Sequence, residues 1–320
     1  MKRGLVIGKF MPLHLGHIAL IRFAASHCDE LIVSLTYKPS EPIDGKLRFE
    51  WINEYFKDDL PIKPAISEDD FDQESLPISH RIKLWSIFIK KRFPSVDILF
   101  TSEVYGEPFA RHVGIKHVSF DPERKLNPVS ASKIRERPLD YWQYIPEIVR
   151  PYFVKKICFF GPESTGKSTM AKHFAQLYHT EFVPEVAREL ITSNDFTVDD
   201  IIRIGHAQTN RVREKLKTAT RFLFCDTDII TTQVYSKKYL DLVPEILFEL
   251  EKEIHYDKYF LFDIDVPWVA DGLRDLSSQR KEMLTLFEEA LVRRNIQFVR
   301  VNGDWKDREK IIKTALEPLT

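Results

Sequence analysis

Two histidines stand close together after the first apolar run of the chain, in the string Gly8-Lys9-Phe10-Met11-Pro12-Leu13-His14-Leu15-Gly16-His17. A strand that ends in glycine and leads into a helix suits phosphate binding, because main-chain N–H groups at a helix start favour anions. His14 and His17 are spaced to lie on one helical face and to reach the same phosphate. We therefore predict a nucleotide site at this turn, to which Gly8, Lys9 and Phe10 also contribute.

A second string with the same chemistry is Val129-Ser130-Ala131-Ser132-Lys133-Ile134-Arg135. Serines at the start of a short helix cap it and offer hydroxyl groups to phosphate, and an arginine supplies a planar cationic fork. We predict that Ser130 and Ser132 bind the nucleotide and that Arg135 stabilises charge during catalysis.

A third string, from Gly161 to Ser168, matches the phosphate-binding pattern G-x-x-x-x-G-K-[ST] in full. It lies between a predicted strand, 157–160, and a predicted helix, 169–178, which is the context that the pattern requires. Lys167 is predicted to reach the β- and γ-phosphates of ATP, and Ser168 to ligate Mg²⁺. The residues predicted to bind the nucleotide here are Gly161, Glu163, Ser164, Thr165, Gly166, Lys167, Ser168 and Thr169.

Carboxylates follow two of the later predicted strands. Glu185 comes just after the strand 181–183, and Asp226 and Asp228 follow the apolar run that starts at Phe222. Oxygen ligands of this kind suit Mg²⁺, so Asp226 and Asp228 are predicted metal ligands. A sugar hydroxyl is a poor nucleophile and benefits from a base, for which Glu185 and Asp226 are equal candidates. Arg188 is predicted to contact the substrate.

The elements that must position these residues alternate between short β-rich runs and amphipathic helical stretches, the pattern of parallel sheets covered by helices. The predicted fold class is therefore α/β in both halves of the chain. Between the halves, the segment 137–151 carries three prolines that break any long helix. We predict two domains, 1–150 and 151–320.

Composition restricts the class of protein. The chain has 320 residues, a net charge of −1, 43% hydrophobic residues and 30% charged residues, values typical of a soluble globular protein. From this balance we expect no nucleic-acid partner and no insertion into a membrane. Three widely spaced cysteines predict no disulfide framework, so we expect a cytoplasmic protein. A homo-oligomer is compatible with the sequence.

The two strings of the first half resemble those of the nucleotidylyltransferase superfamily, and above all of the nicotinamide-mononucleotide adenylyltransferases. The resemblance covers residues 1–135. It implies that Arg48 is a catalytic phosphate-binding arginine, that Trp85 stacks on nicotinamide and that Tyr105 lies at a substrate-binding strand end. Trp85 on an apolar helical stripe is equally compatible with a core residue. Lys9 stands where related sequences often have arginine, and it keeps the charge without the bidentate fork.

The second half resembles the ribosylnicotinamide kinase domain of bifunctional NadR-type proteins, over residues 155–320. The string PWVADGLR at 267–274 supports this likeness and implies that Arg274 acts on the transferring phosphate as part of a lid. Some relatives carry an N-terminal repressor domain. The early first strand leads us to expect none here.

Together these resemblances imply two reactions of NAD biosynthesis. The kinase half would phosphorylate nicotinamide riboside with ATP, and the other half would transfer AMP from ATP to nicotinamide mononucleotide, with Mg²⁺ as cofactor. Two alternatives remain. The first half could act on another phosphorylated metabolite, such as a flavin or pantetheine precursor, and the second half could be a regulatory ATP sensor.

Overall fold

The chain folds as two compact units, Met1–Arg150 and Pro151–Thr320. The computed structural model describes residues 1–71, 75–191, 193, 195–269 and 276–319. The first unit contains five strands, namely β1 (Arg3–Gly8), β2 (Glu30–Tyr37), β3 (Ile62–Glu68), β4 (Ile98–Thr101) and β5 (Lys116–Ser119). Its helices are α1 (Leu15–Ala25), α2 (Gly45–Tyr55), α3 (Ile78–Arg92), α4 (Gly106–Val113) and α5 (Ala131–Glu136), followed by a 3₁₀ turn (Trp142–Tyr144).

All the strand pairs of the first sheet are parallel, in the order β3-β2-β1-β4-β5. The chain leaves β1 towards β2 on one side and reaches β4 on the other, so the strand order reverses beside β1. Ligands of open parallel sheets bind at such a switch point, outside the carboxyl ends of the strands. The end of β1 at Gly8 therefore lies where the fold favours a site.

The second unit also has five strands, namely β6 (Lys155–Phe160), β7 (Glu181–Val183), β8 (Phe222–Asp226), β9 (Lys258–Phe262) and β10 (Phe298–Val301). A short helix at the boundary, α6 (Arg150–Phe153), precedes them. The later helices are α7 (Lys167–Leu177), α8 (Ala187–Leu190), α9 (Val198–Leu216), α10 (Ile229–Leu240), α11 (Glu245–Glu253), α12 (Arg280–Val292) and α13 (Trp305–Leu316), with 3₁₀ turns at Ser277–Gln279 and Glu317–Leu319.

The second sheet is parallel as well, in the order β10-β9-β6-β8-β7. Its central strands are apolar on both faces because helices cover both sides of the sheet. Every residue of β8 is buried. One face is packed with phenylalanine rings, including Phe159, Phe224 and Phe260. This rigid core holds the ends of β6 and β8 in fixed positions.

The predicted α/β class is confirmed in both units, and the predicted strand 157–160 is present within β6. The predicted strand 181–183 is found with those bounds. None of the helices in the described ranges combines the length and the apolarity needed to span a membrane.

Candidate active sites

The first candidate site is a cavity of about 490 Å³ at the carboxyl end of β1. The turn after β1, the start of α1 and the start of α5 bring both predicted strings to its wall. The predicted residues that line it are Gly8, Lys9, Phe10, His14, His17, Tyr105, Ser130, Ser132 and Arg135. Strings separated by more than 100 residues thus meet at one cavity.

His14 caps the helix α1 with its own imidazole. Its Nδ1 accepts a hydrogen bond from the main-chain N–H of Gly16 at 3.1 Å and from that of His17 at 3.4 Å. The prediction that these helix-start amides face a phosphate is therefore wrong for this structure. A Cβ atom on Gly16 would lie 3.0 Å from the His14 ring, so the glycine makes room for the imidazole.

The two histidine rings are stacked, with centroids 3.7 Å apart, and the Phe10 ring meets His17 edge-on. Burial, and then the positive charge of Arg124, lower the pKa of His14 to about 3. Burial also lowers the pKa of His17 well below its usual value. Both imidazoles are neutral at physiological pH. Because Nδ1 of His14 accepts hydrogen bonds, its proton sits on Nε2, which can donate to a phosphate oxygen.

We expect nitrogen NMR of the free protein to show His14 as a neutral imidazole protonated at Nε2 between about pH 8 and about pH 5. A proton on Nδ1 would remove the acceptor that caps α1, and burial opposes the charged ring. The exposed His112 of the same unit serves as the comparison histidine. Titration of His14 near its ordinary pKa would contradict this geometry.

The start of α5 completes the first cavity. Ser130 is the N-cap residue, and its Oγ accepts a hydrogen bond from the N–H of Lys133 at 3.3 Å. Arg135 donates to the main-chain carbonyl of Met11 and, at 3.3 Å, to Oγ of Ser132. Arg135 therefore ties α5 to the turn after β1 while its guanidinium lines the cavity.

Arg48 does not lie at the cavity wall. Its side chain is 0% exposed, and it donates to the carbonyl of Lys9 and to Oε2 of Glu41, both at 2.6 Å. The prediction that Arg48 contacts phosphate directly is thus not met in this structure, because protein oxygens hold its guanidinium. Glu41 also lies 2.9 Å from Nζ of Lys9. Arg48 is a positioning residue for the turn that carries Lys9.

A second cavity of about 190 Å³ adjoins the same turn. Trp85 and Tyr105 line it, together with Gly8 and Lys9, which border the first cavity too. The Trp85 ring meets the Phe71 ring edge-on, with the ring centroids 5.0 Å apart. Trp85 therefore packs against Phe71 and also lines the cavity, in a place that suits a flat aromatic ring of a substrate.

Arg124 lines the first cavity and escaped the sequence analysis. Its guanidinium pairs with Oε1 of Glu103 at 3.0 Å, and its charge contributes to the lowered pKa of both His14 and His17. Arginine in a loop with no periodic pattern resembles a solvated surface charge, so the sequence offered no signal. We add Arg124 to the candidate phosphate-binding residues.

The second candidate site begins with the loop between β6 and α7. Gly161 and Gly166 both adopt positive φ, 129° and 88°, which L-residues with side chains rarely tolerate. A Cβ atom on Gly161 would lie 2.9 Å from the carbonyl oxygen of Phe262. Lys167 is buried, and its Nζ donates to the carbonyl of Pro162 at 2.7 Å. The loop thus has the sharp curvature that phosphate cradles use.

Two carboxylates approach the buried Lys167. Burial lowers the pKa of this lysine, and the negative charges of Asp226 and Glu185 oppose that shift. Asp226 is 1% exposed, and burial followed by the charge of Glu185 raises its pKa to about 6. Ser168 hydrogen-bonds to Asp226. Oδ1 of Asp226 has no hydrogen-bond partner among the residues that the structure describes.

Asp228 is engaged elsewhere. Its Oδ1 accepts hydrogen bonds from the N–H and the hydroxyl of Thr231, and its Oδ2 accepts one from the Tyr259 hydroxyl at 2.8 Å. It is the N-cap of α10. The prediction of Asp228 as a metal ligand is not met in this structure, because its oxygens already serve the helix cap and the tyrosine.

A cavity of about 110 Å³ opens between Lys167 and the helices α9 and α10. Glu163, Glu185 and Arg188 line its polar part, and Glu185 Oε2 lies 2.9 Å from Nε of Arg188. Its remaining wall carries apolar and aromatic side chains, including Phe196, Ile201, Ile204, Tyr235 and Tyr239. A cavity with this division suits a small molecule with one polar end and one flat ring.

The other predicted loop residues make hydrogen bonds within the loop or to segments beside it. Oε1 of Glu163 accepts a hydrogen bond from the N–H of Leu276 at 3.0 Å, and Oγ of Ser164 accepts one from the N–H of Val269 at 2.8 Å. The hydroxyl of Thr165 donates to Pro162 inside the loop. Thr169 lies on α7, exposed. Arg274 lies outside the described residues.

Arg308 supports the loop from behind, and the sequence analysis did not identify it. It is 3% exposed and donates from Nη1 to the carbonyl of Thr165 at 2.6 Å and from Nε to that of Gly303 at 2.9 Å. It also pairs with Asp265. One buried arginine therefore fixes the phosphate loop to the turn after β10. In the sequence, Arg308 is a charged residue on the helix face that also carries the apolar Ile312 and Leu316, and this pattern could have indicated a buried role.

Comparison with known proteins agrees with the two units. The family described as Cytidylyltransferase-like matches residues 5–137, and the family described as AAA domain matches residues 156–308. The Trifunctional NAD biosynthesis/regulator protein NadR of Escherichia coli is 35% identical over 94% of this chain and 79% of its own length. A Nicotinamide-nucleotide adenylyltransferase of Thermococcus onnurineus is 26% identical over 49% of this chain and 83% of its own.

Two solved structures share the fold of the whole chain. A NadR protein in complex with NR has a TM-score of 0.79 at 20% identity, and a NadR protein in complex with NAD and AMP-PNP has a TM-score of 0.81 at 21% identity. Both comparisons cover 99% of this chain and 95% of the other.

Proposed function

This chain belongs to the NadR family of NAD biosynthesis proteins, and we propose from that membership that it makes NAD from nicotinamide riboside in two steps. A kinase step moves the γ-phosphoryl group of ATP to nicotinamide riboside and gives nicotinamide mononucleotide and ADP. An adenylyl-transfer step joins that mononucleotide to the AMP part of a second ATP and releases pyrophosphate. The observation that carries the proposal is the presence of two separate cavities, one in each unit, each beside a predicted phosphate-binding string.

We assign adenylyl transfer to residues 1–150 and the kinase to residues 151–320. The phosphate of nicotinamide mononucleotide is ionised near neutral pH and needs no general base to attack the α-phosphorus of ATP. Catalysis in the first unit then consists of positioning and stabilisation of charge. Neutral His14 and His17 donate hydrogen bonds to phosphate oxygens there, and Arg135 supplies positive charge. The cavity beside Trp85 takes the nicotinamide ring.

In the second unit we assign different roles to Asp226 and Glu185, which the sequence alone left as equal candidates for the base. Asp226 lies beside Ser168 and Lys167 and carries a buried oxygen without a partner in the described chain, which fits an Mg²⁺ site. Bound Mg²⁺ would neutralise charge on the phosphates. Glu185 lines the acceptor cavity, so we propose that it accepts the proton of the acceptor hydroxyl.

Two amide variants test this division. Glu185→Gln should lower kcat of the kinase step by about 10²-fold or more, because a proton acceptor is lost, and leave its Mg²⁺ requirement unchanged. Asp226→Asn should raise the Mg²⁺ concentration at half-maximal rate by about tenfold or more. The exposed Glu189→Gln is the matched control. The division is wrong if Glu185→Gln changes the Mg²⁺ requirement while Asp226→Asn leaves it as in the wild type.

We also propose that the enzyme works in the cytoplasm. All three cysteines are free thiols, and two of them, Cys158 and Cys225, are register partners on β6 and β8 without forming a disulfide. Burial raises the pKa of both thiols well above the usual value, which makes them unreactive.

Separate assays of the two half-reactions test the proposed function. Radiolabel from the γ-phosphate of ATP should appear on nicotinamide riboside, and NAD with pyrophosphate should appear from nicotinamide mononucleotide and ATP. Tight ATP binding without label transfer would support a regulatory sensor instead. Faster turnover of flavin mononucleotide than of nicotinamide mononucleotide would assign the first unit to another metabolite.

A further inference from the structure

Gln208 is a buried amide in the middle of α9, and it is 3% exposed. Its Oε1 accepts a hydrogen bond from the main-chain N–H of Val186 at 2.9 Å. Because an N–H must meet an oxygen, this bond fixes which end of the amide is which. Nε2 is therefore the other end, and it has no hydrogen-bond partner among the described residues. Buried donors are normally satisfied, so this one calls for an acceptor.

Two spaces adjoin Gln208. One is the cavity of about 110 Å³ that also contains Lys167 and Glu185. The other is a space of about 10 Å³ beside Asp228 and Tyr259, no larger than a single water needs. The larger space is the one with room for a ligand, and Lys167 and Glu185 on its wall already belong to the proposed kinase reaction.

The position of Gln208 along α9 shows which part of a ligand it would meet. Ile204 and Ile201 lie on the same helix face, one and two turns earlier, where Phe196 also makes the cavity apolar. Gln208 lies at the other end, bonded to the residue that follows Glu185. A ligand with its flat ring against the isoleucines would bring its sugar to Gln208.

We propose that Nε2 of Gln208 donates a hydrogen bond to a ribose hydroxyl oxygen of the nucleoside acceptor, and that this contact selects ribosides over deoxyribosides. The inference rests on the proposed kinase function of this cavity. A site that holds a donor for one substrate oxygen discriminates against analogues that lack that oxygen, because the buried donor is then left unpaired.

The test combines one enzyme change with one substrate change. Wild type and Gln208→Met are compared on nicotinamide riboside and on its 2′-deoxy and 3′-deoxy analogues. We expect wild type to lose about 5- to 100-fold in kcat/KM on the analogue that lacks the contacted hydroxyl. On nicotinamide riboside, kcat/KM of Gln208→Met should be lower than that of wild type by a similar factor. On that analogue, kcat/KM of Gln208→Met should fall little further. The exposed Gln176→Met on α7 is the control.

Equal proportional losses for all three substrates in Gln208→Met would overturn the inference, since Gln208 would then act only by holding Val186 and the adjacent Glu185. If Gln208→Met fails to fold, Gln208→Glu keeps an oxygen for the Val186 N–H and should still lose the discrimination; retained discrimination would overturn the inference. Failure of the wild type to phosphorylate nicotinamide riboside would instead refute the kinase function itself.

Discussion

Replacement of Lys167 by alanine is expected to lower the kinase rate by about 10²- to 10³-fold and to leave adenylyl transfer close to wild type. The ammonium group is buried in the phosphate loop, close enough to the carboxylates of Asp226 and Glu185 to feel their charge. In the proposed kinase reaction, its loss removes a positive charge from the phosphate loop. Both rates are to be measured on the same preparation, one with nicotinamide riboside and one with nicotinamide mononucleotide.

The matched control for this variant is Lys172→Ala, which removes an exposed lysine from the same helix, α7. It should leave both rates unchanged. A fall in both activities of a folded Lys167→Ala protein would mean that a single nucleotide site serves both reactions. That outcome would contradict the assignment of the two steps to separate units.

Replacement of His17 by alanine is expected to have the opposite effect, with a loss of about 10²- to 10³-fold in adenylyl transfer and an unchanged kinase rate. The His17 ring stacks on His14 and meets Phe10 edge-on at the wall of the first cavity. Its removal takes away one proposed donor to the phosphates and leaves the His14 ring without its stacking partner.

His112→Ala is the control for this second variant, because His112 is an exposed histidine of the same unit. The loss could come from the missing contact of His17 with the substrate or from a disturbed His14 cap of α1. Nitrogen NMR of His14 in His17→Ala separates these two explanations. A retained Nε2–H tautomer at His14 shows that the cap of α1 is intact and that His17 itself acts on the substrate. Full adenylyl-transfer activity in His17→Ala would remove this residue from the site.

The order of elements could be predicted from sequence because both sheets are parallel and covered by helices. Strands of such sheets are short apolar runs, and β8 is an example in which all five residues are buried. The phosphate loop was equally predictable, because its glycines meet backbone requirements that few other residues satisfy. These signals are local, so one sequence is enough to find them.

Roles that depend on distant partners were harder to predict. Arg48 belongs to a helix with mixed polarity, and only the fold brings the carbonyl of Lys9 to its guanidinium. Asp228 follows a buried strand just as Asp226 does, but α10 begins at the next residue and uses Asp228 as its cap. His14 likewise caps α1 through a side chain that is rarely an N-cap.

The central claim is that one chain turns nicotinamide riboside into NAD with two molecules of ATP. Phosphorus NMR of the wild-type protein with nicotinamide riboside, ATP and Mg²⁺ measures this directly. We predict that nicotinamide mononucleotide and ADP rise first, that NAD and pyrophosphate then accumulate in equal amounts, and that ADP equals the sum of the mononucleotide and NAD. Nicotinamide mononucleotide that accumulates without NAD, or NAD that forms only when the mononucleotide is supplied, would contradict the account.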